Sequence, residues 1–410
     1  MESADHAGCP FLDPTGADLH TEAAGLRDRG PATPVRLPGG VRAWSVTRRD
    51  TIKFLVSDRR VSRDAAAHWP ALRDVPRNWQ LDVWVRTDSA FNAHGREHRR
   101  LRALIATAFT PRRTEELRPR VQEIVDRLIT DLHIVETGQP VDLRAAFARK
   151  VPTEVICDLF GVPPHMRARS LHVIDAALHT AADPDQATAD YRELRACMGE
   201  LVAHRRAHPG PDMTSDLIAA RDGDGHLTET QLVDTCILMI GAGSDTTVNL
   251  ILNSVHALLI HPDQHTRLRR ASIDWNDVVE ETLRLEGPIA HMPLRYAVAD
   301  IELGEGVTIR RGDAIIIGFG AAGRDPAVHA DPDVFDPARA DKEHLAFGHG
   351  PHYCLGAPLA RMEADIALRA LFAHFPDLTL AHPERALPRR ESFIANGLRE
   401  LPVLLRTDTS

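Results

Sequence analysis

At 410 residues the chain exceeds the usual size of a single domain, so it is either two domains or one large α-rich body. Its 43% apolar residues provide for a large core and exclude a disordered chain, while 49 Lys and Arg against 58 Asp and Glu leave a net charge of −9, which argues against a general nucleic-acid binder. Cysteines at positions 9, 157, 197, 236 and 354 lack framework spacing and read as reduced thiols of a cytoplasmic protein.

The N-terminal stretch "MESADHAGCPFLDPTGADLH" has neither a basic start nor an apolar run, so no signal peptide or membrane anchor is expected there. "VRAWSV" follows as an extended segment. From Gly95 to Arg120 eight arginines stand against three glutamates, a basic segment in an acidic chain. It is read either as a solvated helix face or as a docking site for an acidic partner. "TEELRPRVQEIVDRLITDL", "VPTEVICDLFGVP" and "ATADYRELRACMGELVAHRRA" carry apolar residues at helical spacing.

Thr228 with Gln231 forms a capping box opening a helix that runs to Ile260, where His261 and Pro262 end it. Asp234, Asp245, Asn249, Asn253 and His256 are read as breaking every membrane-length window, which makes it a core helix. In its middle, "GAGSDTT" places Gly241 and Gly243, each costing roughly 1 kcal/mol relative to Ala. Two readings arise: a gap for a flat ligand beside an acid and an alcohol, or tight helix packing with a back-bonded hydroxyl. "DWNDVVEETLRLEGP" is a further helix, and "ADIELGEGVTIRRGDAIIIGFG" a hairpin region turning at Gly304 to Gly306. No repeat or linker separates two domains, so one large, mainly helical body with a small sheet region is expected.

"FGHGPHYCLGAPLAR" sets Cys354 among glycines ahead of a helix beginning near Ala357. A zinc site with His344, His349 and His352 lacks the usual paired spacing. A nucleophilic thiol would need a base, and His352 is only two positions away. A thiolate ligand to haem iron fits the third way: the glycines let a loop turn beneath a planar ring, and the helix N-terminus would aim N–H groups at the sulfur and lower its pKa.

"FGHGPHYCLG" and "AGSDTT" resemble the haem-binding loop and the oxygen-activating helix of the cytochrome P450 superfamily, and the resemblance runs through nearly the whole chain, closest to actinobacterial members. It implies a cytochrome P450 fold, a single domain over 1–410 and haem b (iron protoporphyrin IX), with Cys354 as metal ligand. Glu281 and Arg284 in "EETLR", with Arg339 in "FDPAR", look like the family's buried ion network. His98, Arg102, Arg295 and His352 match its propionate-binding positions; Phe347, Gly350, Ala242 and Gly243 border the cofactor by the same likeness.

By resemblance Asp245 brings in protons and Thr246 holds oxygen and a water, while Phe91, Ile240, Ala242, Ile289, Ala290, Phe393 and Ile394 line the substrate pocket. His68, Trp69 and Trp84 fall in a lid-like stretch. The implied activity is hydroxylation of a bulky hydrophobic natural product with dioxygen and two electrons from a ferredoxin and ferredoxin reductase, docked near Arg99, Arg100, Arg112 and Arg113. No membrane or nucleic acid is involved. Two other readings remain: oxidative carbon–carbon or carbon–heteroatom coupling of aromatic natural products such as cyclic dipeptides, and a non-catalytic haem sensor or degenerate partner protein.

Overall fold

A computed structural model of the protein describes residues 9–177, 180–224 and 227–405. Its spine is the helix Glu229–Ile260, 32 residues long and opened by the expected capping box, with the Gln231 N–H donating to Thr228 Oγ1 at 3.0 Å. At the other end the His261 N–H closes on the Ala257 carbonyl at 3.1 Å. The helix is apolar on nearly every side because it is surrounded: Lys150–Leu159, Pro184–Ala207, Trp275–Leu285 and Ala357–His374 all pack on it.

One step of the sequence argument needs correction here. Despite its polar residues, Glu229–Ile260 is long and apolar enough to cross a membrane, and among the described residues it is the one helix that is. What makes it a core helix is its setting: 67% of its most apolar window is buried inside the fold. Its two buried aspartates, Asp234 and Asp245, are each paired with arginine.

The basic segment becomes the helix Gly95–Ala106, a short turn, and the helices Pro111–Glu116 and Arg118–His133. The single helix expected over "TEELRPRVQ" is therefore broken at Leu117. Pro119 lies in the first turn of the second piece, where its missing N–H would have no intrahelical acceptor in any case.

"VRAWSV" forms the strand Arg42–Val46 in a five-stranded sheet ordered Thr33–Arg36, Arg42–Val46, Ala314–Ile317, Met292–Ala297, Val61–Ser62. Arg42–Val46 and Ala314–Ile317 run parallel and the other neighbours antiparallel. All four residues of Ala314–Ile317 are buried, the continuous apolar run of a strand covered on both faces. A register shift between Met292 and Arg295 interrupts the pairing and precedes the buried Arg295. The expected hairpin is Ile301–Gly304 with Val307–Ile309.

Candidate active site

Phe347 to Gly356 forms a tight loop whose backbone bonds largely to itself. The Cys354 N–H donates to the Phe347 carbonyl at 2.9 Å, Tyr353 N–H to Gly350 at 3.0 Å and Gly348 N–H to Leu345 at 2.8 Å. Gly348 and Gly350 sit at φ +75° and +70°, left-handed conformations that favour glycine. A Cβ on Gly350 would also meet the Val56 carbonyl at 3.0 Å, so this residue lets the loop rest on the helix Arg49–Ser57. Gly350 does not line the cavity, which corrects its expected place beside the cofactor.

The thiol of Cys354 is exposed, and what it faces is a cavity of about 320 Å³ inside the fold. Burial pushes its pKa up, opposed by N–H groups of Gly356 and Ala357 at the start of the helix Ala357–His374 and by the charges of Arg102 and Arg361. The expected donors are therefore present. The expected direction is reversed in the protein alone, because desolvation outweighs them. Among the described residues no group of three or more His, Cys, Asp or Glu side chains is placed to hold a metal, and the zinc reading has no geometric support.

Beside the thiol lies a cluster of arginines and histidines. The rings of His98 and His352 lie tilted with centroids 4.0 Å apart, and Arg63, Arg102, Arg295 and His352 all line the cavity. Arg102 donates to the Tyr353 carbonyl. Burial, then the neighbouring arginines, pushes His98 down to about 4 and lowers His352 further, so both rings are neutral. Burial lowers Arg295 to about 10.

No carboxylate stands within ion-pair distance of Arg63, Arg102 or Arg295 among the described residues, and buried nitrogens of Arg63, Arg295 and His98 have no partner. Uncompensated buried cations are costly, which marks the place of an anion. Haem, with two carboxylates and an iron that takes a thiolate, fits this donor set.

The central helix contributes Gly241, Ala242, Gly243, Asp245 and Thr246 to the same cavity. Ala242 is exposed although it lies mid-helix, since its methyl fronts that space. Gly243 answers a different need: a Cβ there would meet Ile156 at 2.6 Å, so its bare backbone admits the helix Lys150–Leu159. The packing reading holds for this glycine. The Thr246 hydroxyl donates to the Ala242 carbonyl at 2.8 Å, leaving its lone pairs to accept from the cavity.

Asp245 is held by three residues the sequence reading missed. It accepts from Arg144 at 3.0 Å, Asn249 at 3.1 Å and Arg390 at 3.3 Å. Arg390 in turn pairs at 2.7 Å with Asp175, whose side chain is 38% exposed, so the network runs from the cavity toward the surface. Arg144 is presented by a π-helical turn, Arg144–Ala148, a feature frequent at functional sites.

Of the expected pocket residues, Phe91, Ala242 and Ile289 line the cavity. Ile240, Ala290, Phe393 and Ile394 do not; each is 7% exposed or less and packed into a hydrophobic core cluster. Trp84, Thr87, Ile174 and Leu194 also belong to the wall, whereas His68 and Trp69 stay outside it. Asp234 ties two parts of that wall together, accepting from the Asp88 N–H at 2.7 Å and pairing with Arg195 of the helix Pro184–Ala207. Glu363 also borders the cavity, with a buried oxygen that has no partner, and burial pushes its carboxyl up to about 8.

The ion network closes as expected. Arg284 binds Glu281 at 2.7 and 2.8 Å with both side chains fully buried, and Arg339 reaches the same carboxylate at 3.5 Å. Arg284 also donates to the carbonyls of Gly323, Pro332 and Val334. Of the arginines expected on a docking face, Arg100 pairs with Glu97, Arg112 with Glu116 and Arg113 with Asp216, while Arg99 is exposed.

Comparison with known proteins agrees with this geometry. Residues 275–397 match the family described as Cytochrome P450. A curated relative, 2-hydroxy-5-methyl-1-naphthoate 7-hydroxylase of Streptomyces carzinostaticus, is 42% identical over 97% of this chain and 98% of its own. The solved structure of CYP154A1 from Streptomyces coelicolor A3(2) superposes with a TM-score of 0.95 at 49% identity, covering 97% of this chain and all of that one. CxnD, a cytochrome P450 enzyme for C–S bond formation in chuangxinmycin biosynthesis, superposes at 0.85 with 33% identity over 99% of both chains.

Proposed function

The chain belongs to the cytochrome P450 family of haem-dependent monooxygenases, and from this premise we propose that it hydroxylates a bulky, mostly apolar natural product using electrons from a ferredoxin and its reductase. The observation that carries the proposal is the meeting, in one cavity, of Cys354, an acid-free cation cluster and the Asp245–Thr246 pair. Residues from Arg63 to Glu363 contribute to it, which supports reading 1–410 as one domain.

Haem bound here supplies activation of dioxygen and insertion of one oxygen atom into a substrate C–H bond. Cys354 Sγ would give up its proton to hold the haem iron, and the Gly356 and Ala357 N–H groups with Arg102 and Arg361 would carry the resulting charge. Arg102, Arg295 and His352, which line the cavity, would hold the two carboxylates, for which the arginine fork is suited, while His98 lies outside the lining and reaches the site through its ring contact with His352. Phe347, which lines the cavity with Arg361 4.5 Å from its ring centroid, shields the sulfur side from water.

On the helix wall, Thr246 offers an acceptor to a water, and Asp245 hands protons to that water. An arginine does not release a proton near neutral pH, so Asp245 must part from Arg390 or Arg144 and take water in its place for a proton to pass. Phe91, Ile289, Leu194 and Ile237 make the substrate side largely apolar, which supports a bulky hydrophobic ligand anchored at few points. Exposed ion pairs are weak, so Arg112 and Arg113 can exchange their own acids for those of an acidic ferredoxin beside Arg99. A thiol that must stay reduced supports a cytoplasmic location.

The test is Thr246→Ala, which should keep oxygen and electron consumption but release peroxide in place of most product. Fully coupled turnover by the variant would remove Thr246 from the mechanism. The likeness to an enzyme of C–S bond formation keeps oxidative coupling as a second reading; product mass separates them, since hydroxylation adds an oxygen and coupling removes two hydrogens.

A further inference from the structure

The cation cluster contains one residue more than the family resemblance assigns. Arg63 follows directly on the edge strand Val61–Ser62 and is 3% exposed. Its Nη2 donates to the Pro293 carbonyl at 2.9 Å, its Nε has no partner, and its guanidinium carbon sits 3.5 Å from the centroid of the Phe91 ring. The adjacent Asp64 is committed to capping the helix Ala65–His68 through the Ala67 N–H. Nothing in the described protein neutralises Arg63, and Arg295, likewise buried without an acid, adds repulsion.

Two unpaired guanidiniums, with Arg102 beside the sulfur, exceed what one carboxylate can satisfy and match an anion carrying two. We propose that Arg63 is a haem carboxylate anchor that at the same time fixes the ring of Phe91 in the cavity wall. Cofactor and substrate side are then coupled through one guanidinium: the anion orders Arg63, and the stacked Arg63 holds Phe91. This inference rests on haem occupying the cavity.

The experiment uses the full-length holoenzyme and its Arg63→Gln, Arg63→Lys and Phe91→Leu variants, measuring haem transfer to excess apomyoglobin and the reduction potential. Arg63→Gln should lose haem about tenfold faster or more, the scale of a charge-assisted hydrogen bond left unmade. Its potential should move negative, since a buried positive charge that favours the reduced state has gone. Arg63→Lys should fall between it and the parent, retaining the charge without the fork. Phe91→Leu should keep both values while weakening 4-phenylimidazole binding, and Arg63→Gln should weaken that binding as well.

Parent-like haem loss and potential in Arg63→Gln overturn the anchor role. If that variant yields no holoprotein, Arg63→Lys decides: faster loss than the parent supports the role and an unchanged rate overturns it. A parent protein that takes up no haem would instead overturn the cofactor reading itself.

Discussion

The cysteine loop and the helix wall border the same cavity but are held in place by different means. In the loop, residues 345–356 bond mainly to one another, and each residue type is required by a local backbone need: glycine at positive φ, cysteine for the sulfur, and a helix start to supply N–H groups. The wall is assembled from remote pieces. Asp245 depends on residues 101 and 145 positions away, and Asp234 joins Asp88 to Arg195 across 146 and 39. Local constraint fixes the sulfur, whereas long-range packing fixes both the acid Asp245 and the shape of the cavity beside it.

If that contrast is right, the largest effect should come from the buried ion network, which is itself a long-range tie from Glu281 and Arg284 to the segment 323–339. Arg284→Met leaves Glu281 buried without its main partner and frees three carbonyls, a loss of about 3–5 kcal/mol on the scale of broken buried pairs. The expected result is little soluble haem protein, read from the Soret-to-protein absorbance ratio. Normal yield would show that the fold holds haem without this ion network.

Among apolar residues the contrast can be sharpened by a pair of substitutions. Phe393→Ala removes a fully buried ring from the core and should destabilise by about 3–5 kcal/mol. Ile289→Ala borders the cavity and should cost less, while changing the affinity of hydrophobic azoles measured by Soret titration. Reversed outcomes, with Phe393 governing affinity, would restore the pocket expected from sequence.

A smaller and pH-dependent effect belongs to Glu363. Its folded pKa of about 8 lies above the unfolded value, so the folded state keeps a proton that the unfolded state releases. Its penalty is absent at low pH and grows as pH rises from the usual carboxyl range toward 8, where it levels off. Glu363→Gln should therefore raise the melting temperature at pH 8 and leave it nearly unchanged at pH 4. An equal shift at both pH values would mean that packing, not charge, is at issue.

The same contrast explains what could be read in advance. The capping box, the hairpin, the ion network and the cysteine loop were legible because each is a short pattern with a local physical reason. Ile240, Ala290, Phe393 and Ile394 were misplaced because an apolar side chain looks the same whether it faces a core or a cavity. Arg63, Arg144 and Arg390 were invisible because nothing in their own segments calls for a buried cation. Gly243 borders the cavity, as expected, and its missing side chain also makes room for Ile156, a packing need that its own segment does not announce. The membrane argument reached the right place by a wrong step, since burial rather than polarity decides it.

The central claim is that Cys354 Sγ binds haem iron as a thiolate. The most direct measurement is the absorption spectrum of the reduced, carbon-monoxide-bound protein beside that of Cys354→His. The parent should show the strongly red-shifted Soret band of sulfur ligation and the variant the shorter-wavelength band of nitrogen ligation. A parent spectrum already at the nitrogen-ligand position, or a red-shifted band that survives loss of the cysteine, would contradict the account.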